Sequence, residues 1–317
     1  MHDIATANSA VLGLRDWIES RLIGRTPLVE RLLIALLTGG HVLVEGIPGL
    51  AKTRAVRVLA EGCDASFSRI QCTPDLMPSD LTGTPVFRPD TGDFVFVAGP
   101  LFHSIVLVDE INRAPPKVQS ALLEAMAENQ ISVGGETRPL PEPFMVVATQ
   151  NPIEHEGTFP LPEAQLDRFM YHVVVSTPGP EDEMRILDLV DVEAATPASP
   201  QMLLALDNLS AAKQGVQGVH VAPALKEFIV RLVTATRDGE ACPEVEHPVS
   251  PRGSLALLAG ARARAWLDGR DFATPEDVAH LAEDALAHRM VLTWRAEADG
   301  TTARDVIRGL LGRIEPL

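Results

Sequence analysis

Cysteine is scarce in this 317-residue chain, with Cys63, Cys72 and Cys242 making up the whole complement. They form no CxxC pair and leave one thiol over under any pairing, so the chain reads as a reduced protein and not as a disulfide scaffold. Basic charge is also short: 27 Lys and Arg stand against 43 Asp and Glu, a formal net charge of −16. So acidic a surface repels phosphate backbones and counts against general nucleic-acid binding. No apolar run approaches the ~20 residues of a membrane span. The opening Met1-His2-Asp3-Ile4 lacks the basic-then-apolar pattern of a secretory leader. A cytoplasmic protein with no direct membrane insertion is expected. The nine histidines form neither HExxH nor Cys/His ligand spacing, and no G-x-S-x-G elbow occurs, so zinc and serine-hydrolase chemistry have no support.

What is present is globular: 46% hydrophobic and 22% charged residues, on a length that suggests about two domains. Apolar residues recur at helical spacing within 1–22 and again from Leu28 to Leu37. There Thr26 reads as the cap, Pro27 as a first-turn residue and Gly39-Gly40 as the stop. Residues 41–45 and 66–71 read as strands, and apolar runs at 105–108, 144–149 and 171–175 as buried parallel strands, with helices at 51–60 and 117–128 between them. Two hairpins are expected, one across 81–102 turning at Pro89-Asp90-Thr91-Gly92-Asp93 and one across 130–143 turning at Gly134-Gly135. After Thr177 the strand signal stops. Helices are expected at 181–192, 201–214, 222–238, 250–268, 274–288 and 302–314, with a Pro/Ser/Thr-rich linker at 194–200. Strands alternating with helices indicate a parallel sheet covered on both faces. The division predicted is 1–177, an α/β domain, and 178–317, a helical domain.

The segment Gly46-Ile47-Pro48-Gly49-Leu50-Ala51-Lys52-Thr53 follows a strand and opens a helix, the context that a phosphate-binding loop requires. Glycines let successive N–H groups point at phosphate oxygens, and the helix N-terminus adds its positive end. Lys52, one of only four lysines with Lys117, Lys213 and Lys226, would neutralise β- and γ-phosphate charge. Thr53 would ligate Mg²⁺. Ala51 stands where the general pattern has glycine, which is tolerable if it keeps helical dihedrals.

Ile105 to Val108 runs into Asp109-Glu110. On a strand beside the phosphate strand, Asp109 would hold the metal's water shell and Glu110 would deprotonate the attacking water. The plainer alternative is an acid pair solvating a strand end. Asn151, after another buried strand, could bond the water and the γ-phosphate, or simply sit in the turn before Pro152. Arg168 could be an arginine finger for a neighbouring subunit, or a surface ion pair with Asp167 or Glu163. Arg252 follows Ser250-Pro251 at a helix start and could reach a phosphate across the domain cleft, or face solvent. Arg113 receives no firm role.

These motifs, with Gly39-Gly40-His41-Val42-Leu43-Val44-Glu45-Gly46, Asp109-Glu110-Ile111-Asn112-Arg113-Ala114-Pro115-Pro116, Glu124-Ala125-Met126-Ala127-Glu128, Gln150-Asn151-Pro152-Ile153-Glu154 and Leu161-Pro162-Glu163-Ala164-Gln165-Leu166-Asp167-Arg168-Phe169, resemble the MoxR family of AAA+ ATPases over about residues 23–290. Ala51 is itself usual in that family. The resemblance implies a P-loop sheet sandwiched by helices with a C-terminal all-α lid. It also implies Walker A at 46–53, Walker B at Asp109-Glu110, sensor 1 at Asn151, a finger at Arg168 acting in trans and sensor 2 at Arg252. The hairpins become the helix-2 insert and the pre-sensor-1 hairpin, and Ile23-Gly24-Arg25 the base-contacting segment. ATP and Mg²⁺ are the implied cofactors, and the implied assembly is a ring, usually a hexamer. Chaperone-like activation of client enzymes is implied too, alongside a partner bearing a von Willebrand factor A domain.

Three functions follow as alternatives: a motor that remodels protein clients, a nucleotide-gated switch with incidental hydrolysis, and a DNA-directed translocase. The last calls for basic or aromatic hairpin tips, whereas Gly134-Gly135-Glu136-Thr137-Arg138 carries one base balanced by an acid. Pro74 to Asp80, where a threading loop would lie, has no aromatic residue, which favours local remodelling over threading.

Overall fold

Alternation along each apolar strand decides which layer its side chains enter. In the computed structural model, which describes residues 4–152, 157–195 and 202–316, Val42, Val44, Ile105, Leu107, Met145 and Val147 join one hydrophobic core. Leu43, Val106, Val108, Val146 and Ala148 join another on the opposite face. Both faces of these three strands are therefore dry, as their continuous apolar runs require. Ile153, Glu154 and residues 196–200 of the expected linker lie outside the described residues.

Helices α1 (Ile4–Glu19) and α2 (Thr26–Thr38) precede strand β1 (Val42–Glu45), helix α3 (Lys52–Gly62) and strand β2 (Phe67–Gln71). Next come the short helix α4 (Pro78–Thr82), the hairpin β3 (Gly83–Arg88) and β4 (Asp93–Ala98), strand β5 (Ile105–Asp109) and helix α5 (Pro116–Glu128). A second hairpin, β6 (Gln130–Val133) and β7 (Glu136–Pro139), leads to β8 (Met145–Gln150), the single turn α6 (Glu163–Leu166) and β9 (Tyr171–Val174). Both hairpins form separate two-stranded sheets, where the sequence places them. The main sheet has five parallel strands in the order β2-β5-β8-β1-β9. One expectation is corrected here. The strand carrying Asp109 does not neighbour the phosphate strand, because β8 lies between them.

From Pro180 the chain is mainly helical: α7 (Pro180–Ala195), α8 (Leu206–Gly218), α9 (Pro223–Ala235), α10 (Pro251–Leu267), α11 (Pro275–Leu286), α12 (Trp294–Ala298) and α13 (Ala303–Arg313). The strand signal does not quite vanish. β10 (Val245–His247) pairs antiparallel with β11 (Val291–Leu292), a ribbon too short for a period of two to register and joined only by tertiary packing. Arg264 and Arg270 both donate to the fully buried Asp277. Arg264 therefore ties α10 to α11, and Arg270 fastens the turn after α10 to the same carboxylate.

Capping departs from expectation at one end of α2. Arg25 occupies the cap position without a side-chain capping bond, and Thr26 and Pro27 are already inside the first turn. Gly39 closes the helix in the left-handed conformation, φ +72°, donating to Ala35 O, as the glycine pair suggests. At α10, Ser250 caps and accepts from the Arg252 N–H at 3.2 Å.

His41, buried at the start of β1, is part of the core's wiring. Its Nδ1 accepts from the Val146 N–H at 3.0 Å and its Nε2–H donates to Met126 O at 3.1 Å. Burial holds the imidazole neutral and pushes its pKa down to about 4, against the opposing pull of the Met126 hydrogen bond. The unfolded chain takes up that proton first, so stability should fall as pH drops from ~6.5 to about 4, by ~3 kcal/mol, and be level in this respect above. Urea midpoints across that window should fall less steeply for His41→Gln than for the wild type. Equal slopes would remove His41 from the account.

Candidate nucleotide site

β1 delivers Glu45 to the edge of the sheet, and the chain then turns through Gly46–Ala51 into α3. Gly46 donates to Gln150 O at 3.2 Å. A side chain there would meet Val175 O and Leu50, so glycine is required by close approach. Gly49 has φ +84°, a conformation that glycine adopts without strain. Ala51 does not keep helical dihedrals. It sits at φ 59°, ψ 21° in the left-handed region, strain of order 1 kcal/mol for a residue with a Cβ. Lys52 Nζ folds back onto the loop, donating to Gly46 O and, at 3.3 Å, to Gln150 O.

At the carboxyl ends of β5 and β8 the acids meet the loop. Asp109 is 5% exposed. Its Oδ1 accepts from Thr149 Oγ1 at 3.0 Å, and the Thr53 hydroxyl lies 3.3–3.4 Å from both of its oxygens. Arg69, from β2, places its guanidinium 2.7 Å from Asp109 Oδ2. Glu110 adopts φ 56°, ψ 52°, and its N–H donates to Thr149 Oγ1 at 3.0 Å. Its Oε2 accepts from Gln71 Nε2 at 3.0 Å and from Arg113 Nη1 at 3.2 Å. Asn151 is buried just beyond β8. Lys52, Thr53, Asp109, Glu110 and Asn151 all border one cavity of about 380 Å³.

Burial, then the charges of Asp109 and Glu110, raise the Cys72 thiol to about 12. It is inert next to the acids.

The arrangement can grip a polyphosphate. Donors line the loop, an ammonium stands behind it, and a hydroxyl–carboxylate pair offers the hard oxygen ligands that Mg²⁺ prefers. Among the described residues no group of three or more His, Cys, Asp or Glu could hold a metal by itself.

Arg168 and Arg252 lie elsewhere. Both border a second cavity with Gly40, Glu128 and Arg289, and neither borders the one over their own phosphate loop. Neither expected acid pairs with Arg168. Asp167 binds Ser250 Oγ at 2.7 Å, Arg289 Nε at 3.1 Å and Arg252 Nη1 at 3.5 Å. The buried Arg168 Nε has no hydrogen-bond partner. Gly24, at φ +69°, packs against Asp182 of α7 and does not border the loop cavity either.

Residues 41–171 match the model of the ATPase family associated with various cellular activities, and residues 237–310 match the AAA lid domain. The chain is 46% identical to Chaperone MoxR1 of Mycobacterium tuberculosis over 296 residues, covering 92% of this chain and 78% of that protein. The chain belongs to the MoxR family of AAA+ ATPases. It is also 33% identical to Protein MoxR of Paracoccus denitrificans, covering 86% of each. A crystal structure from Cytophaga hutchinsonii, named as a candidate ATPase, superposes with a TM-score of 0.91 at 37% identity, over 99% of this chain and 97% of that one.

For this MoxR-family ATPase, sequence reasoning missed Arg69, Gln71 and Thr149. A signal existed for the first two. They stand two apart in β2, hence on one face. Thr149 is the lone hydroxyl ending an apolar strand. No helix among the described residues is long and apolar enough to cross a membrane.

Proposed function

We propose that this MoxR-family ATPase binds Mg·ATP over Gly46–Thr53 and hydrolyses it. One observation carries the reading: Lys52, Thr53, Asp109, Glu110 and Asn151, drawn from three segments, converge on a single cavity at the strand ends. The loop amides and Lys52 hold the β- and γ-phosphates, while Thr53 and the Asp109 carboxylate hold magnesium. Magnesium supplies positive charge to the phosphate oxygens. Glu110 takes a proton from a water positioned with Asn151. That oxygen bonds to the γ-phosphorus as the β–γ bridging bond breaks, leaving ADP and phosphate.

Arg168 and Arg252 serve the nucleotide of a neighbouring subunit, in a ring that we take to be a hexamer. Support comes from their shared wall, remote from their own loop, and from the unpartnered Arg168 Nε. The segment Ile23-Gly24-Arg25 contacts the base, and the division between nucleotide-binding and lid domains falls at 177. The cycle drives local remodelling of client proteins in the cytoplasm, with a von Willebrand factor A domain protein as partner. The translocase alternative is disfavoured by Arg138, whose charge is taken up by Glu136 and by the face of Phe96 at 4.1 Å.

Calorimetric titration of Mg·ATP should give heat with one site per chain, and Lys52→Ala should weaken binding at least ~10-fold through loss of a charge-assisted contact. No heat from folded wild-type protein would end this reading.

A further inference from the structure

Asp109 offers two oxygens, and they are not equivalent. Oδ1 is satisfied inside the protein by Thr149 at 3.0 Å. Oδ2 accepts from the guanidinium of Arg69 at 2.7 Å. The Arg69 side chain is 45% exposed against 7% for that of Asp109. The carboxylate is therefore built into the sheet end, and the cation lies on its solvent side, on the wall of the nucleotide cavity. The same guanidinium donates from Nη2 to Gln71 Oε1 at 3.2 Å, and Gln71 Nε2 donates to Glu110 Oε2 at 3.0 Å. A continuous line runs Asp109–Arg69–Gln71–Glu110, closed at its far end by Arg113.

We infer that Arg69 is a tethered cation that competes with magnesium for Asp109. The inference rests on the proposed nucleotide function and adds a positioning residue to it. Asp109 is nearly buried, and a buried carboxylate without a counter-charge is costly. With no metal, Arg69 supplies that charge. Magnesium would use the same carboxylate, directly or through its water shell, and guanidinium and divalent ion repel each other at such range. Metal entry therefore displaces Arg69, which can swing into solvent at low cost because it is half exposed. Gln71 loses a partner at that step and loosens its hold on Glu110, so the base is freed when the metal has arrived.

The test uses the full-length chain, a fluorescent ADP analogue kept dilute, and titration with magnesium chloride, reading the midpoint of the metal-dependent rise in bound nucleotide. Arg69→Met and Arg69→Gln should each lower that midpoint by ~5-fold, the scale of a half-exposed ion pair, and should also lower the metal-free urea midpoint, because Asp109 then lacks its counter-charge. Arg69→Lys, which keeps a competing charge, should stay nearer the wild-type value. A midpoint unchanged or raised in both neutral variants overturns the inference and leaves the nucleotide reading standing. Wild-type protein that binds no ADP at any magnesium concentration overturns both.

Discussion

Replacing Glu110 by Gln should abolish steady-state ATP hydrolysis, a fall of ~10²–10⁴-fold, while ATP affinity stays within about threefold of wild type. The amide keeps the size of the carboxylate and the left-handed backbone at this position, φ 56°. It cannot accept the proton of the attacking water. Binding depends on the loop amides, Lys52 and the Thr53–Asp109 pair, whereas the Glu110 carboxylate is bonded to Gln71 and Arg113. Phosphate-release assays and calorimetry on the same preparation separate the two effects. If Glu110→Gln turns over at the wild-type rate, Glu110 is not the base. If client activation also persists at full rate, hydrolysis is incidental and the switch reading replaces the motor.

The second large effect concerns Arg168. Arg168→Ala should lose ~10³-fold in turnover, the scale of an arginine finger, with little change in the affinity of an isolated subunit for ATP. Neither arginine borders the cavity over its own loop, so the loss should be repairable by a neighbour. Mixing Arg168→Ala chains with Glu110→Gln chains places intact Glu110 from the first opposite intact Arg168 from the second. Activity should reappear in the mixture although each variant alone is inactive. A mixture as inactive as its components would place Arg168 in its own subunit's chemistry, and a large loss of ATP affinity would make it a direct ligand there.

Local, contiguous features were legible in the residues. The phosphate loop is one stretch of eight residues whose glycines and single lysine have one compatible backbone path. The apolar runs 42–45, 105–108 and 144–149 state their own burial. Both hairpins were marked by glycine-bearing turns, and the Ser250-Pro251 start of α10 by its cap. Where the reading slipped, the deciding contact was distant or the element very short. Thr26 lost the cap position because the turn begins one residue earlier, at Arg25. The β10–β11 ribbon joins residues some 45 apart through three and two residues. Ala51 was allowed only helical dihedrals, yet the loop closes onto Gln150 and Val175, and that closure, not intrinsic preference, sets its φ of 59°.

By itself the sequence determined which chemistry is possible: an ammonium, a hydroxyl, two carboxylates and an amide, each at the end of a strand or the start of a helix. Secondary structure is encoded over a few residues, so those ends could be located without knowing the fold. Tertiary structure alone decided what those groups touch. Strand order put β8 between the loop and Asp109. Parallel register set Gln71 opposite Asp109, and with it came Arg69, forty residues upstream, onto the Asp109 Oδ2. Packing of the lid carried Arg252 to Arg168 and away from the loop of its own chain. Register and packing are long-range, set by which apolar faces bury together, and no short window of residues contains them.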